Sequence, residues 1–188
     1  MKKILRHIVA HSPLVRSWTL SRLVLKWVMT IPSHHIRLFY LDLVHGGLGK
    51  GCTVCRYVEI RNPQNVFLGD HVVVNRYCIL DGRGGRLVIG NNVDIALDSY
   101  IWTLQHDPDD DFHRTKGGDV NIGDYVWIAS RANVLPGVNI GRGAVIAACS
   151  MVTKNVEENI IVGGIPAKKI GERHNQFKYT LHFRPLFE

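Results

Sequence analysis

Four cysteines in 188 residues are too few for a disulfide scaffold. Cys52-Thr53-Val54-Cys55 has C-x-x-C spacing, but no second pair accompanies it and no βαβ pattern surrounds it. Structural thiols in a reducing compartment are expected. Long apolar runs are missing as well. The stretch from Leu23 to Ile31 is interrupted by Lys26 and is too short to cross a bilayer. Arg6, His7, His11 and Arg16 break up any secretory core behind Met1-Lys2-Lys3. The expected location is therefore cytoplasmic, with contact at the inner membrane surface left open. Low-complexity segments are absent, and the basic residues form no stripe and no nucleic-acid module, so nucleic acid is not an expected partner. A net charge of +7 points instead to phosphates or an anionic membrane.

What the chain does have is a beat of six. Fourteen aliphatic residues keep it: Val54 and Ile60; Leu68, Val74 and Leu80; Ile89, Ile95 and Ile101; Ile122, Ile128 and Val134; Ile140, Ile146 and Val152. Neither a helix (3.6) nor a half-buried strand (2) has this period. A parallel β-helix does, with each hexapeptide forming one side of a triangular coil and one aliphatic pointing inward. Glycine follows the first member of each full triplet, at Gly69, Gly90, Gly123 and Gly141, and Leu48-Gly49 opens an earlier coil. Small residues four positions on, among them Cys52, Cys78, Ser99, Ala132, Ala144 and Ser150, suit the corners. Every break in the beat falls after a third member. Ile60 to Leu68 spans eight residues, Leu80 to Ile89 nine, and Ile101 to Ile122 twenty-one. All insertions thus leave one corner, and the longest, from about Trp102 to Val120, is where chemistry is expected.

The expected fold is all-β: a β-helix over residues 46–170, an N-terminal helical segment over 1–45 and a short C-terminal tail over 171–188. In the first segment Leu20, Leu23, Val24, Trp27, Val28 and Ile31 share one helical face, which Pro32 ends. That basic amphipathic face suits either packing on the body or a neighbouring subunit, or peripheral contact with an anionic membrane. The tail's aromatic residues, Phe177, Tyr179, Phe183 and Phe187, suggest docking on the body.

Four motifs carry a family resemblance in order and spacing: Asn121-Ile122-Gly123-Asp124-Tyr125-Val126-Trp127-Ile128; Val134-Leu135-Pro136-Gly137-Val138; Ser150-Met151-Val152-Thr153-Lys154; and Gly163-Gly164-Ile165-Pro166-Ala167-Lys168. Over residues 48–170 the chain resembles the hexapeptide-repeat O-acetyltransferases of the maltose/galactoside type, closest to bacterial enzymes that acetylate exopolysaccharide or lipopolysaccharide sugars. The resemblance implies a left-handed parallel β-helix, a homotrimer, acetyl-CoA bound between subunits, a saccharide acceptor and no metal. It maps the catalytic base onto His106. It places Asn75 and Trp127 at the acceptor, with Asp107 a candidate to orient the imidazole. It carries CoA contacts over to Ser130, whose amide faces the thioester oxygen, and to Ala148, Thr153, Lys154 and Lys168. Ala129 and Ala147 depart from the family's glycines, and no counterpart of its N-terminal acidic acceptor residue is evident.

The chemistry is coherent on its own terms. A sugar hydroxyl is a weak nucleophile, and an imidazole with an ordinary pKa of about 6.5 can take its proton during attack on the thioester. An amide donor would stabilise the oxyanion, and lysines suit the phosphates of CoA. Two rival readings remain. A γ-class carbonic anhydrase would need three converging histidines from His71, His106 and His113. A non-catalytic trimeric β-helix would need none of these groups.

Overall fold

The six-beat becomes three sheets. The computed structural model describes residues 18–183, with side chains from residue 23 on. Strands Gly47–Leu48, Val66–Leu68, Leu87–Ile89, Val120–Ile122 and Asn139–Ile140 stack in one parallel sheet, face A. Face B stacks Thr53–Val54, Val73–Val74, Asp94–Ile95, Trp127–Ile128, Val145–Ile146 and Ile160–Gly163, and Lys168–Glu172 closes it antiparallel. Face C stacks Glu59–Arg61, Ile79–Asp81, Tyr100–Ile101, Asn133–Val134 and Met151–Val152. Register pairs such as Val74↔Ile95, Ile95↔Ile128 and Ile128↔Ile146 place equivalent aliphatics directly above one another. The result is the expected parallel β-helix, of about 6 turns. All fourteen periodic residues are buried. Each contributes about 1.5–3 kcal/mol of apolar burial, which makes this one column the main source of stability.

The small residues four positions on are also buried, so every side turns a second residue inward beside its corner. Between these two positions the chain takes a left-handed turn, with positive φ at Gly51, Tyr57, His71, Tyr77, Asn92, Asp98, Tyr125 and Arg131. The glycine at the A–B corner is a steric necessity. A Cβ on Gly49 would lie 2.1 Å from the carbonyl oxygen of Gly69 on the next coil.

Cys52, Cys55 and Cys78 are buried and free, and Cys149 is free and exposed. Cys52 donates to the Gly69 carbonyl and Cys78 to the Ala96 carbonyl, each at 3.1 Å. Burial pushes the Cys78 thiol up to about 12. These are structural thiols, as the spacing suggested.

Two helices cap the first coil, α1 (Trp18–Val28) and α2 (His34–Val44). α1 departs from expectation. Among its described side chains Leu25 and Val28 are buried, as is Met29 just beyond its end, whereas Leu23 is 62% and Trp27 72% exposed. Of the anticipated face, only Val28 is buried among the described side chains, with Ile31 half-buried; Leu20 lies outside them. Periodicity finds an apolar stripe but not what covers it. Arg37 on α2 is fully buried; its guanidinium donates to the carbonyls of Val54 and Ile31 and rivets the cap to the first coil. Among the described residues no helix is long and apolar enough to cross a membrane.

The described part of the tail docks, as its aromatics suggested, and runs back along the A–B corner; Phe187 lies outside the described residues. Phe177 packs between Arg142 and Arg173 and against Tyr125. Leu181 N–H donates to Asn92 Oδ1 at 3.1 Å, and the carbonyl of Phe183 accepts from Thr53 Oγ1. The tail thus spans from the last coil to the first.

Candidate active site

The longest insertion is a β-hairpin. Leu104–His106 pairs antiparallel with Thr115–Gly117, with His106 opposite Thr115. Its base rests on the second insertion, where Gly84 N–H donates to Thr103 Oγ1 at 3.1 Å. That shorter loop is itself fixed by buried Asp81, which holds the Arg83 guanidinium through contacts of 2.8 and 3.1 Å. At the hairpin tip Asp110 accepts from the amide of Phe112 and pairs with Arg114. The acidic run therefore builds a turn.

His106 is exposed, stacks on His113 with ring centroids 3.8 Å apart, and places Nδ1 2.9 Å from the His113 carbonyl oxygen. A carbonyl only accepts, so Nδ1 carries the hydrogen, and the neutral ring keeps its lone pair on Nε2. Asp107 does not orient this ring. Its carboxylate lies 3.3 Å from Lys116 Nζ, and hydrogen bonds from the Asp109 amide and Lys116 hold its pKa below the ordinary range. Backbone, not carboxylate, positions the imidazole.

Asn75, Trp127, Ser130 and Ala148 gather on the opposite side of the prism, on face B and its corner with face C. Trp127, Ser130 and Ala148 line an apolar groove of about 620 Å³. Ala129 and Ala147 line it too, so the two methyls narrow this groove without filling it. Asn75 lies one step above. Its Nδ2 donates to the Ile95 carbonyl at 3.0 Å and to Asp94 Oδ1 at 3.3 Å. Thr153 and Lys154 are exposed after the strand Met151–Val152, at the corner between C and A, and do not line this groove. Lys168 is exposed where the closing strand begins, paired opposite Gly163. One chain therefore assembles Asn75, Trp127, Ser130 and Ala148 along face B, and presents His106 and Asp107 at a different corner.

Sequence reasoning missed Asp94. It lies between Val73 and Trp127 in register on the outer surface of face B, and desolvation raises its carboxyl above the ordinary range. The available signal was a carboxylate directly before the inward Ile95. The roof formed by Leu181, His182 and Phe183 over Asn75 and Asp94 was not legible at all.

Within one chain the three histidines of the rival zinc reading, which would share a metal between subunits, do not converge. His106 and His113 stack on one hairpin, while His71 packs edge-on against His182 at 5.2 Å.

Comparison with known proteins agrees with this architecture. Residues 119–154 match the bacterial transferase hexapeptide (six repeats) family. A putative acetyltransferase of Saccharomyces cerevisiae, YJL218W, is 39% identical over 125 residues, covering 64% of this chain and 62% of its own. The putative colanic acid biosynthesis acetyltransferase WcaF of Escherichia coli K12 is 31% identical over 160 residues, covering 83% of this chain and 85% of its own. The chain thus spans less than two thirds of the yeast protein and most of WcaF. Among solved structures, hexapeptide-repeat acetyltransferase VCA0836 of Vibrio cholerae, complexed with acetyl-CoA, superposes with a TM-score of 0.79 at 25% identity, over 88% of this chain and 92% of that one.

Proposed function

The chain belongs to the hexapeptide-repeat acetyltransferases, and from that premise we propose that it moves an acetyl group from acetyl-CoA to a hydroxyl of a saccharide, with His106 as general base. The observation that carries this reading is the pairing of two separate features: a hairpin histidine with its lone pair on Nε2, and an apolar groove holding Trp127 and Ser130. In this mechanism the acetylated thiol end of CoA lies along the groove, with the Ser130 amide near the thioester oxygen. Nε2 takes the hydroxyl proton as the oxygen attacks the carbonyl carbon, the C–S bond breaks, and the proton passes to the departing thiolate. No covalent enzyme intermediate is required.

Because His106 and the groove occupy different sides of one chain, the reading requires a second copy to bring them together. A homotrimer does so by closing three prisms so that the hairpin of one lies over face B of the next. Phe112 at the hairpin tip, 80% exposed, is in this reading a contact with that neighbour. Thr153, Lys154 and Lys168, outside the groove of their own chain, are in this reading phosphate and pantetheine contacts at the same interface. The proposal extends to a cytoplasmic protein whose helical cap rests on the inner membrane surface, with a role in polysaccharide biosynthesis. The test is thiol release from acetyl-CoA in the presence of free and lipid-linked sugars. Wild type should release CoA only with an acceptor present. Absence of acceptor-dependent release across the panel would end the reading.

A further inference from the structure

A pocket of about 240 Å³ lies between face B and the C-terminal tail, walled by Val73, Asn75 and Asp94 beneath and by Leu181, His182 and Phe183 above. We propose that this tail-roofed pocket binds the acyl acceptor and that Asp94 selects there for a neutral or aminated polyol over an anionic sugar, an inference that rests on the acetyl-transfer reading above. The volume lies below the roughly 300–1,000 Å³ typical of drug-sized ligand sites and suits a unit the size of one sugar ring.

The polar groups that face B contributes set the ligand chemistry at the pocket floor. Both hydrogen-bond partners of Asn75 Nδ2, Asp94 Oδ1 and the Ile95 carbonyl, are acceptors, so the amide nitrogen is spent on them. What Asn75 and Asp94 still offer are Asn75 Oδ1 and the second carboxylate oxygen, and both accept. Such a site is complementary to hydroxyl or ammonium donors. A ligand carboxylate or phosphate would meet a partly desolvated like charge, a repulsion that builds in rejection. Val73, Leu181 and Phe183 supply apolar walls for the C–H face of a ring. Position agrees as well. Asp94 is the register neighbour of Trp127, so the pocket opens one strand from the groove assigned to the acyl donor. The roof is anchored at both ends, by the Leu181 amide on Asn92 and by the Phe183 carbonyl on Thr53.

The test uses the full chain and acetyl-CoA. The probes are methyl glucopyranoside and methyl glucuronoside, and the readout is the ratio of their kcat/KM values. Wild type should favour the glucoside. Asp94→Asn should reduce that preference by about 10-fold or more, chiefly through acceptor KM, with the KM for acetyl-CoA unchanged. Phe183→Ala and Leu181→Ala should raise acceptor KM for both sugars and leave the ratio alone. If Asp94→Asn does not fold, Asp94→Leu, apolar like its neighbour Val73, takes its place. An unaltered ratio in the folded Asp94 variant overturns the selection, and unaltered acceptor KM in both tail variants overturns the pocket. Loss of turnover in His106→Ala beside wild-type behaviour of all these variants sinks this inference alone. A wild-type enzyme that acetylates neither sugar sinks the acetyl-transfer reading with it.

Discussion

The base proposed here, His106, is oriented by a backbone oxygen. The His113 carbonyl, 2.9 Å from Nδ1, settles the tautomer that a base at Nε2 requires. Removing a positioned base typically costs about 10²–10⁴ in rate. His106→Ala should therefore lose at least about two orders of magnitude in kcat. Calorimetric titration with CoA should still give the wild-type affinity, because the groove on face B keeps all its lining residues. Near-normal turnover in an intact oligomer would remove His106 from the mechanism. The place of His106 on the longest insertion was legible in the sequence as the largest break in the beat. Its orienting partner was not. Neighbouring side chains on a strand point to opposite faces, so the adjacent Asp107 reaches Lys116 instead. Asp94 carries a stability consequence of its own. Its carboxyl is raised from the ordinary 3.8 by desolvation, so the folded state disfavours the ionised form. The destabilisation is absent well below that ordinary value, sets in as pH rises through it, and is complete above the folded-state value. Asp94→Asn should thus melt higher than wild type at pH 7, and the gain should vanish near pH 3. A melting difference independent of pH would refute the assignment.

At the scale of elements, a six-residue period has one structural solution, which is why faces A, B and C could be assigned residue by residue. Inward Ile128 sits between Ile95 and Ile146 with no exposed surface. Ile128→Ala should cost about 2–5 kcal/mol in denaturant unfolding, because the stacked column cannot collapse around the void. A loss below about 1 kcal/mol would mean that the column relaxes freely. The insertions were legible as departures from the beat, but their conformations were not. The hairpin register depends on contacts such as Gly84 with Thr103, residues nineteen apart in sequence. The face of α1 was misjudged for a related reason. Leu25 and Met29 are buried by the first coil, which local periodicity does not see.

The whole molecule has a polarity of charge. Its first 41 residues hold seven Lys and Arg and no Asp or Glu, which leaves 16 basic against 16 acidic residues in the rest of the chain. The entire formal charge of +7 therefore belongs to the N-terminal end, where Leu23 and Trp27 are exposed. An amphipathic element of this kind is attracted to anionic lipid. The protein should cosediment with vesicles containing phosphatidylglycerol, release in high salt, and ignore phosphatidylcholine vesicles. Equal binding to both, or to neither, would assign the exposed face to another copy of the chain. Light scattering at micromolar concentration should report a trimer, and a monomer would contradict a site completed between copies.

Solenoids ordinarily behave as one-dimensional stacks whose ends fray independently, since each coil senses only its neighbours. Here the returning tail touches Tyr125, Asn92 and Thr53 in turn, linking the last coil to the first. That strap makes the terminal coils energetic neighbours, so the stack opens as one cooperative unit. Amide exchange should show comparable protection near Val54 and Ile146 in the intact chain. Cutting the strap before Phe177 should let the first coil exchange by itself.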